Sequence, residues 1–264
     1  MPNFCKVLVI SIPRTGTNHL FYTLRNIEKL NVRFELFNKE EAYSISKEEV
    51  GLLAERHKTC WQNNRDHQFI NWSAENPATL LEFLAEKVAI NFDHLIFKLF
   101  PNQLSMNQIE AMFRNTSNLR IIFIHRRPID SFISMMKSIQ TRKYHNHDTS
   151  DLRVDLCSRY FMEWWSSNYN WYRMVENLAD RFSLPQTTLS YEADINVAEE
   201  ELLQKVIEAT RTIGLDLSRS AAGRYEGLEK QDKEARYDRK VQNWSTFEAE
   251  LRTEHFYDRA FGSF

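Results

Sequence analysis

The sequence predicts an α/β fold: one domain with a central, mainly parallel sheet flanked by helices. Three observations lead there. Short β-branched apolar runs alternate along the chain with segments of helical apolar period, the pattern of strands joined by crossover helices. Two of those runs end in a tight, cation-bearing turn that opens directly into a helix, and parallel α/β sheets present ligands at such strand ends. Finally, 264 residues with 42% hydrophobic content can bury one sizeable core, and no linker, repeat or low-complexity stretch divides them, so residues 1–264 read as a single domain.

The first unit is Lys6 to Leu24, KVLVISIPRTGTNHLFYTL. The apolar run from Val7 to Ile12 breaks at Pro13 into Arg14-Thr15-Gly16-Thr17-Asn18, and Leu20, Phe21, Leu24 and Ile27 then follow at helical spacing. Gly16 permits a backbone conformation closed to other residues. The first N–H groups of the helix point into the loop, where the positive end of the dipole favours a phosphate or sulfate. Arg14 adds a forked cation, and Thr15 and Thr17 add hydroxyl donors. The unit is P-loop-like in outline, but it lacks the second glycine and the Gly-Lys-Ser/Thr of a Walker loop, and no GxGxxG turn occurs. Nucleoside triphosphate and dinucleotide readings lose ground accordingly.

Asn31 to Phe37 alternates as a second short strand with Glu35 near its end. Asn38 to Asp66 is polar, with a helical segment around Lys47 to His57 and no clear core face, and reads as an excursion facing substrate. Pro77 to Val88 opens with proline at a helix start. His94 to Leu99 is a strand carrying Lys98 near its carboxyl end, and Met106 to Arg114 is helical.

The second cation-bearing unit is Leu119 to Ser138. Arg120 to His125 is a strand, Arg126-Arg127-Pro128 the turn, and the helix runs from Asp130 onward with Ser134 inside it. Asp151 to Phe182 is a long helical stretch dense in aromatics, read mostly as core. Leu184 to Tyr191 is a strand followed by Glu192, and Val197 to Ile213 is an amphipathic helix. The tail from Ala221 reads as irregular and charged, around Arg239-Lys240-Val241-Gln242-Asn243-Trp244. Arg239 and Lys240 are either partners of a bound phosphate or a solvated charge run.

Composition sets further bounds. With 34 Lys and Arg against 36 Asp and Glu there is no global field to recruit nucleic acid or an anionic membrane, so any basic site is local. Cys5, Cys60 and Cys157 are few, odd in number and far apart, which argues for a reducing compartment. No segment is long enough to span a bilayer, and the expected location is cytoplasmic. His145-x-His147-Asp148, and Cys60 with His57 and His67, lack a full set of metal ligands at spacing and read as solvated loop.

PRTGT opening a helix resembles the 5′-phosphosulfate loop of sulfotransferases that use 3′-phosphoadenosine-5′-phosphosulfate (PAPS). The strand-Arg-x-Pro-x-Asp-x-x-x-Ser segment resembles their 3′-phosphate motif, with Arg126 and Ser134 at the two phosphate-contacting positions. Ser190-Tyr191-Glu192 is similar to the Tyr-Glu-Asp that closes a strand in the same family. The likeness covers most of the chain and extends to bacterial carbohydrate sulfotransferases of the Nod-factor and trehalose-sulfating kind, through Arg14 to Thr17, Phe34 to Asn38, Lys98, Gln140 to Arg142 and Val241 to Trp244.

That resemblance implies sulfuryl transfer from PAPS to a hydroxyl of a glycan or glycolipid, leaving 3′,5′-adenosine bisphosphate. Arg14 and Lys98 would neutralise the leaving phosphate, and Arg14, Thr15, Gly16, Thr17, Asn18, Arg126, Ser134, Arg239 and Lys240 would hold the nucleotide. No metal is expected. Animal cytosolic members carry a catalytic histidine two positions after the strand lysine. That position is Phe100 here, and the resemblance implies Glu35 as general base instead. A P-loop-like nucleotide kinase and a non-catalytic nucleotide-binding protein stay open beside this reading.

Overall fold

A computed structural model describes residues 4–142, 148–220 and 232–262. Five strands form one sheet in the order β2-β3-β1-β4-β5, every pairing parallel. They are β1 (Cys5–Ile10), β2 (Leu30–Val32), β3 (His94–Leu99), β4 (Leu119–His125) and β5 (Gln186–Ser190). With β1 in the middle, the chain moves first to one side of it and then to the other, so the carboxyl ends of β1, β3 and β4 flank a switch in direction.

Strands buried on both faces read as continuous apolar runs, and β1 is buried throughout. Its alternate side chains serve two cores. Val7 and Val9 pack with Leu20, Phe21 and Leu24 and with Leu202, Leu203 and Val206, from α1 (Thr17–Thr23) with its following turn and from α8 (Glu199–Arg211). Leu8 and Ile10 face the opposite core, made by α2 (Lys47–His57), α3 (His67–Glu75), α4 (Pro77–Val88), α5 (Met106–Asn115) and the second half of α7 (Ser158–Arg181). A third core lies where α6 (Pro128–Thr141) and the first half of α7 meet the C-terminal helices α9 (Tyr237–Lys240), α10 (Trp244–Thr253) and α11 (Tyr257–Phe261). Phe132, Phe161, Phe247 and Phe256 fill it.

Several local expectations are corrected by tertiary packing. The strand expected over Asn31 to Phe37 ends at Val32 as a regular element. Two more parallel bonds, Arg33 N–H to Ile96 O (2.8 Å) and Lys98 N–H to Phe34 O (3.2 Å), carry the chain along β3 to Glu35, where a turn begins. The segment read as an excursion without a core face supplies buried Ala42, Ile45, Val50, Leu53 and Trp61 to the main core, and α2 is closed by a Ser46/Glu49 capping box. Helix α7 begins at Ser158 because the preceding residues pair with the tail. Val154 donates to Lys240 O and accepts from Gln242 N, both at 3.0 Å. The tail itself is largely helical from Trp244 on, held by its buried aromatics. Among the described residues no helix is long and apolar enough to cross a membrane.

One phenol organises the sheet's carboxyl edge. β1 and β4 remain paired to Ile10 and Phe123. Beyond that, the fully buried Tyr172 of α7 reaches between them, accepting from Ile12 N–H (3.0 Å) and donating to Ile124 O (2.6 Å). Two strand ends that would otherwise bury unpaired amide groups are thereby satisfied and held apart.

Candidate active site

The loop after β1 turns through two left-handed residues, Arg14 (φ 74°) and Gly16 (φ 76°). Gly16 is required twice over. Its φ disfavours a side chain, and a Cβ there would lie 2.5 Å from Cε2 and 2.7 Å from Cδ2 of Tyr191. Thr15 is fully buried and its hydroxyl donates to Ile12 O (2.9 Å), so that proton closes the loop on itself and leaves Thr15 to serve a ligand through its backbone. Thr17, also buried, begins α1.

Tyr191 joins this loop to the turn after β4. Arg126 lies over the Tyr191 ring at 4.1 Å from its centroid, and its Nη1 donates to Arg14 O at 2.5 Å. Arg126 Nε is buried with no acceptor among the described residues, a donor in want of an anion. Ser134, in the second turn of α6, accepts from Arg14 Nε at 3.0 Å. Arg14, Arg126 and Ser134, from two separate motifs, are thus one cluster.

On the other side of β1, Lys98 is buried at the end of β3. Its Nζ donates to Asn18 Oδ1 (2.5 Å) in the first turn of α1 and stands 3.5 Å from Glu35 Oε1, with the rings of Phe21, Phe34 and Phe100 around it at 5.0–5.5 Å. Burial draws the Lys98 ammonium down from its usual range to about 8, and Glu35 opposes that. Glu35 Oε2 accepts from Asn38 Nδ2 (3.0 Å) and Gln103 Nε2 (2.8 Å). Arg33, the nearby cation in sequence, is engaged elsewhere in a two-pronged pair with Glu49.

Lys240 and Arg239 part company. Lys240 is buried near Asp130 (3.9 Å) and Asp232 (3.8 Å), and burial holds its ammonium below the usual range while both carboxylates act the other way. Arg239 is exposed, with Glu234 at 3.9 Å, away from this cluster. Four residues that sequence reasoning passed over, Lys137, Asp232, Tyr237 and Gln103, complete the arrangement. Lys137 is buried and donates to Asp232 and to Thr149 O, both at 2.8 Å, and Tyr237 accepts from Arg127 (3.2 Å). Lys137 had a signal: with Ile129 and Ile133 it falls on the apolar stripe of α6. Gln103 had none.

His125, the last residue of β4, packs at a tilt of 34° on Tyr172 (4.9 Å between centroids) and lies 3.9 Å from Glu176, while His57 packs on Trp61 and Trp72. Cys60 is exposed. The His145-x-His147 pair lies outside the described residues. Among the described residues no group of three or more His, Cys, Asp or Glu side chains is arranged to hold a metal ion.

The model of the family described as "Sulfotransferase family" matches residues 6–212. The fold is similar to that of the sulfotransferase domain from the curacin biosynthetic pathway, with a TM-score of 0.53 at 12% identity over 92% of this chain and 86% of that one. Two further solved structures have lower TM-scores and say nothing more of this chain. They are a sulfotransferase from Alicyclobacillus acidocaldarius (0.43, 13% identity, 97% and 96% covered) and STF1 from Mycobacterium tuberculosis H37Rv (0.45, 13%, 81% and 68%). A search of curated protein sequences returns no significant match.

Proposed function

The chain belongs to the sulfotransferase family, and from that premise we propose that it transfers a sulfuryl group from PAPS to a hydroxyl of a carbohydrate or glycolipid acceptor, with Glu35 as general base. The observation that carries this reading is the Glu35–Lys98 pair at 3.5 Å, tied through Asn18 to the loop that follows β1. A proton acceptor, a cation and an anion loop thereby share one edge. The nucleotide fits the residues around it: Arg126 Nε offers a buried donor without an acceptor, and Ser134 and Arg14 lie beside it. Lys240 is a candidate for the same phosphate, whereas Arg239 points toward Glu234 and has the weaker case.

In the transfer, the acceptor oxygen attacks sulfur in line with the bridging oxygen of PAPS. The new O–S bond forms as the old one breaks, and its electron pair goes to the phosphate of the departing 3′,5′-adenosine bisphosphate. Glu35 takes the acceptor's proton. Arg14, Lys98 and the loop N–H groups meet the charge that builds on the phosphate, which is stabilisation by donors already fixed in place. The acceptor class rests on the likeness of Phe34 to Asn38, Gln140 to Arg142 and Val241 to Trp244 to bacterial carbohydrate enzymes.

Radiolabelled PAPS incubated with a panel of oligosaccharides and glycolipids tests the reading. Label is expected on a glycan-bearing acceptor, and 3′,5′-adenosine bisphosphate is expected to raise the melting temperature more than ATP does with or without Mg²⁺. A larger shift with ATP and Mg²⁺, and no transfer from PAPS, would overturn it.

A further inference from the structure

We propose that Gln103 is a positioning residue of the transfer reaction: its amide holds Oε2 of Glu35, so that Oε1 is the oxygen left to take the acceptor's proton. The inference rests on the reading of Glu35 as base. Gln103 sits in the turn after β3, in neither helix nor strand, yet only 8% of it is exposed. Its Oε1 accepts from Phe100 N–H at 3.0 Å. A backbone N–H can pair only with the oxygen end of an amide, so the nitrogen end must face Glu35, where Nε2 lies 2.8 Å from Oε2. Asn38 Nδ2 reaches the same oxygen at 3.0 Å.

Two N–H donors occupy both lone pairs of Oε2, which leaves it no room for a proton. Oε1 faces Lys98 at 3.5 Å, longer than a hydrogen bond of normal length, and keeps a lone pair for the acceptor. The donors' neutrality matters. An amide stays bonded to Oε2 whether Glu35 is ionised or protonated, so the carboxyl group keeps its orientation through the proton transfer. A cation in the place of Gln103 would hold the carboxylate ionised and oppose the same step. Among the described residues, Lys98 from β3 and Tyr43 from the following loop also face Glu35, Tyr43 itself being set among Glu40, Glu41 and Arg65.

The test separates this role from simple packing. Gln103→Glu keeps an oxygen for Phe100 N–H but replaces the donor to Glu35 with a second carboxylate, and two carboxylates so close cannot both ionise readily. NMR titration of isotope-labelled glutamate carboxyl groups, with Glu35 identified by its loss in Glu35→Gln, should show Glu35 titrating about one pH unit or more higher in Gln103→Glu. Turnover, read as labelled sulfate released from PAPS to water, should fall roughly tenfold on the acid limb of the pH profile, where the raised carboxyl is protonated, and recover as pH rises. KM for PAPS should stay within about twofold. Gln103→Leu, which loses both contacts, should lower turnover at every pH. If Gln103→Glu shows the parent's titration and pH profile, Gln103 is only a packing residue and the inference falls. If Glu35→Gln keeps its turnover, the base assignment falls instead, and the Glu35 titration in Gln103→Glu still reports whether Gln103 holds that carboxylate.

Discussion

Arg14 Nε donates to Ser134 Oγ at 3.0 Å, so the turn after β1 and the helix after β4 meet directly although 120 positions separate them. Taken one motif at a time, these residues suggest two independent phosphate grips. Taken together they are one cluster whose members should respond jointly to substitution.

The first prediction concerns that cluster. Arg126→Ala should weaken binding of 3′,5′-adenosine bisphosphate by about tenfold to a hundredfold, the effect of losing a charge-assisted contact worth about 1.5 to 3 kcal/mol. Arg14→Ala and Ser134→Ala, combined, should depart from additivity by about 0.5 kcal/mol or more because the two side chains touch. Isothermal calorimetry on the single and double variants measures both. Unchanged affinity in Arg126→Ala would remove it from the nucleotide site.

Glu35→Gln preserves shape and removes the proton acceptor. We expect turnover from PAPS to fall by roughly a hundredfold or more, the size of a lost acid–base group, with PAPS affinity nearly intact. The carboxylate is already paired with Lys98 and two amides, so an effect confined to affinity would mean that its role is to hold Lys98.

Lys98 makes a pH prediction with a definite sign. Burial lowers it from 10.5 to about 8, so its charge is complete below that pH and is lost as pH rises through it. Turnover should therefore decline above about pH 8, far short of an exposed lysine's range. Stability moves the other way. Between about 8 and 10.5 the unfolded chain holds a proton that the folded one has released, so this residue's contribution to stability grows with pH across that window. A pH–rate profile with an alkaline limb near 10 would contradict the buried setting of Lys98.

Gly16→Ala tests the close approach of Tyr191. Backbone strain at a positive φ costs about 1 to 2 kcal/mol, and forcing a methyl group against the ring adds roughly 1 to 3 kcal/mol. In a Tyr191→Ala background most of the second part should vanish, leaving the backbone part and a lesser contact with Ile195 Cγ2 at 3.3 Å. Denaturant melts of the four proteins give the cycle, and equal costs in both backgrounds would show that the ring does not press on Gly16.

Much of this architecture was legible from local pattern alone. Pro77–Val88 and His94–Leu99 form the helix and strand that their periods predict, and the strand–turn–helix units at Arg14 and Arg126 occur where the runs of apolar residues break. Such features depend on neighbours within a turn or two of chain: the alternation of a strand, the repeat of a helix, a proline at a helix start, a glycine where φ is positive. Arg126 follows an apolar run and Lys98 lies near the end of one, whereas Glu35 is marked as a candidate only by the resemblance of Phe34 to Asn38 to a known family.

Their partners carry no such mark. Gln103 is a lone amide in a turn, Tyr172 is one aromatic among many on a long helix, and Asp232 is an acid in a charged tail. Each acquires its role only when the folded chain brings it to Glu35, to the gap between β1 and β4, and to Lys137. The tail, charged on average, is drawn into a third core because Phe247 and Phe256 find Phe132 and Phe161 there. Residue type and spacing decide which elements form, because those preferences act over a few residues. Pairings across a hundred positions arise from burying apolar surface and satisfying buried polar groups, conditions that exist only once the sheet has assembled its edge.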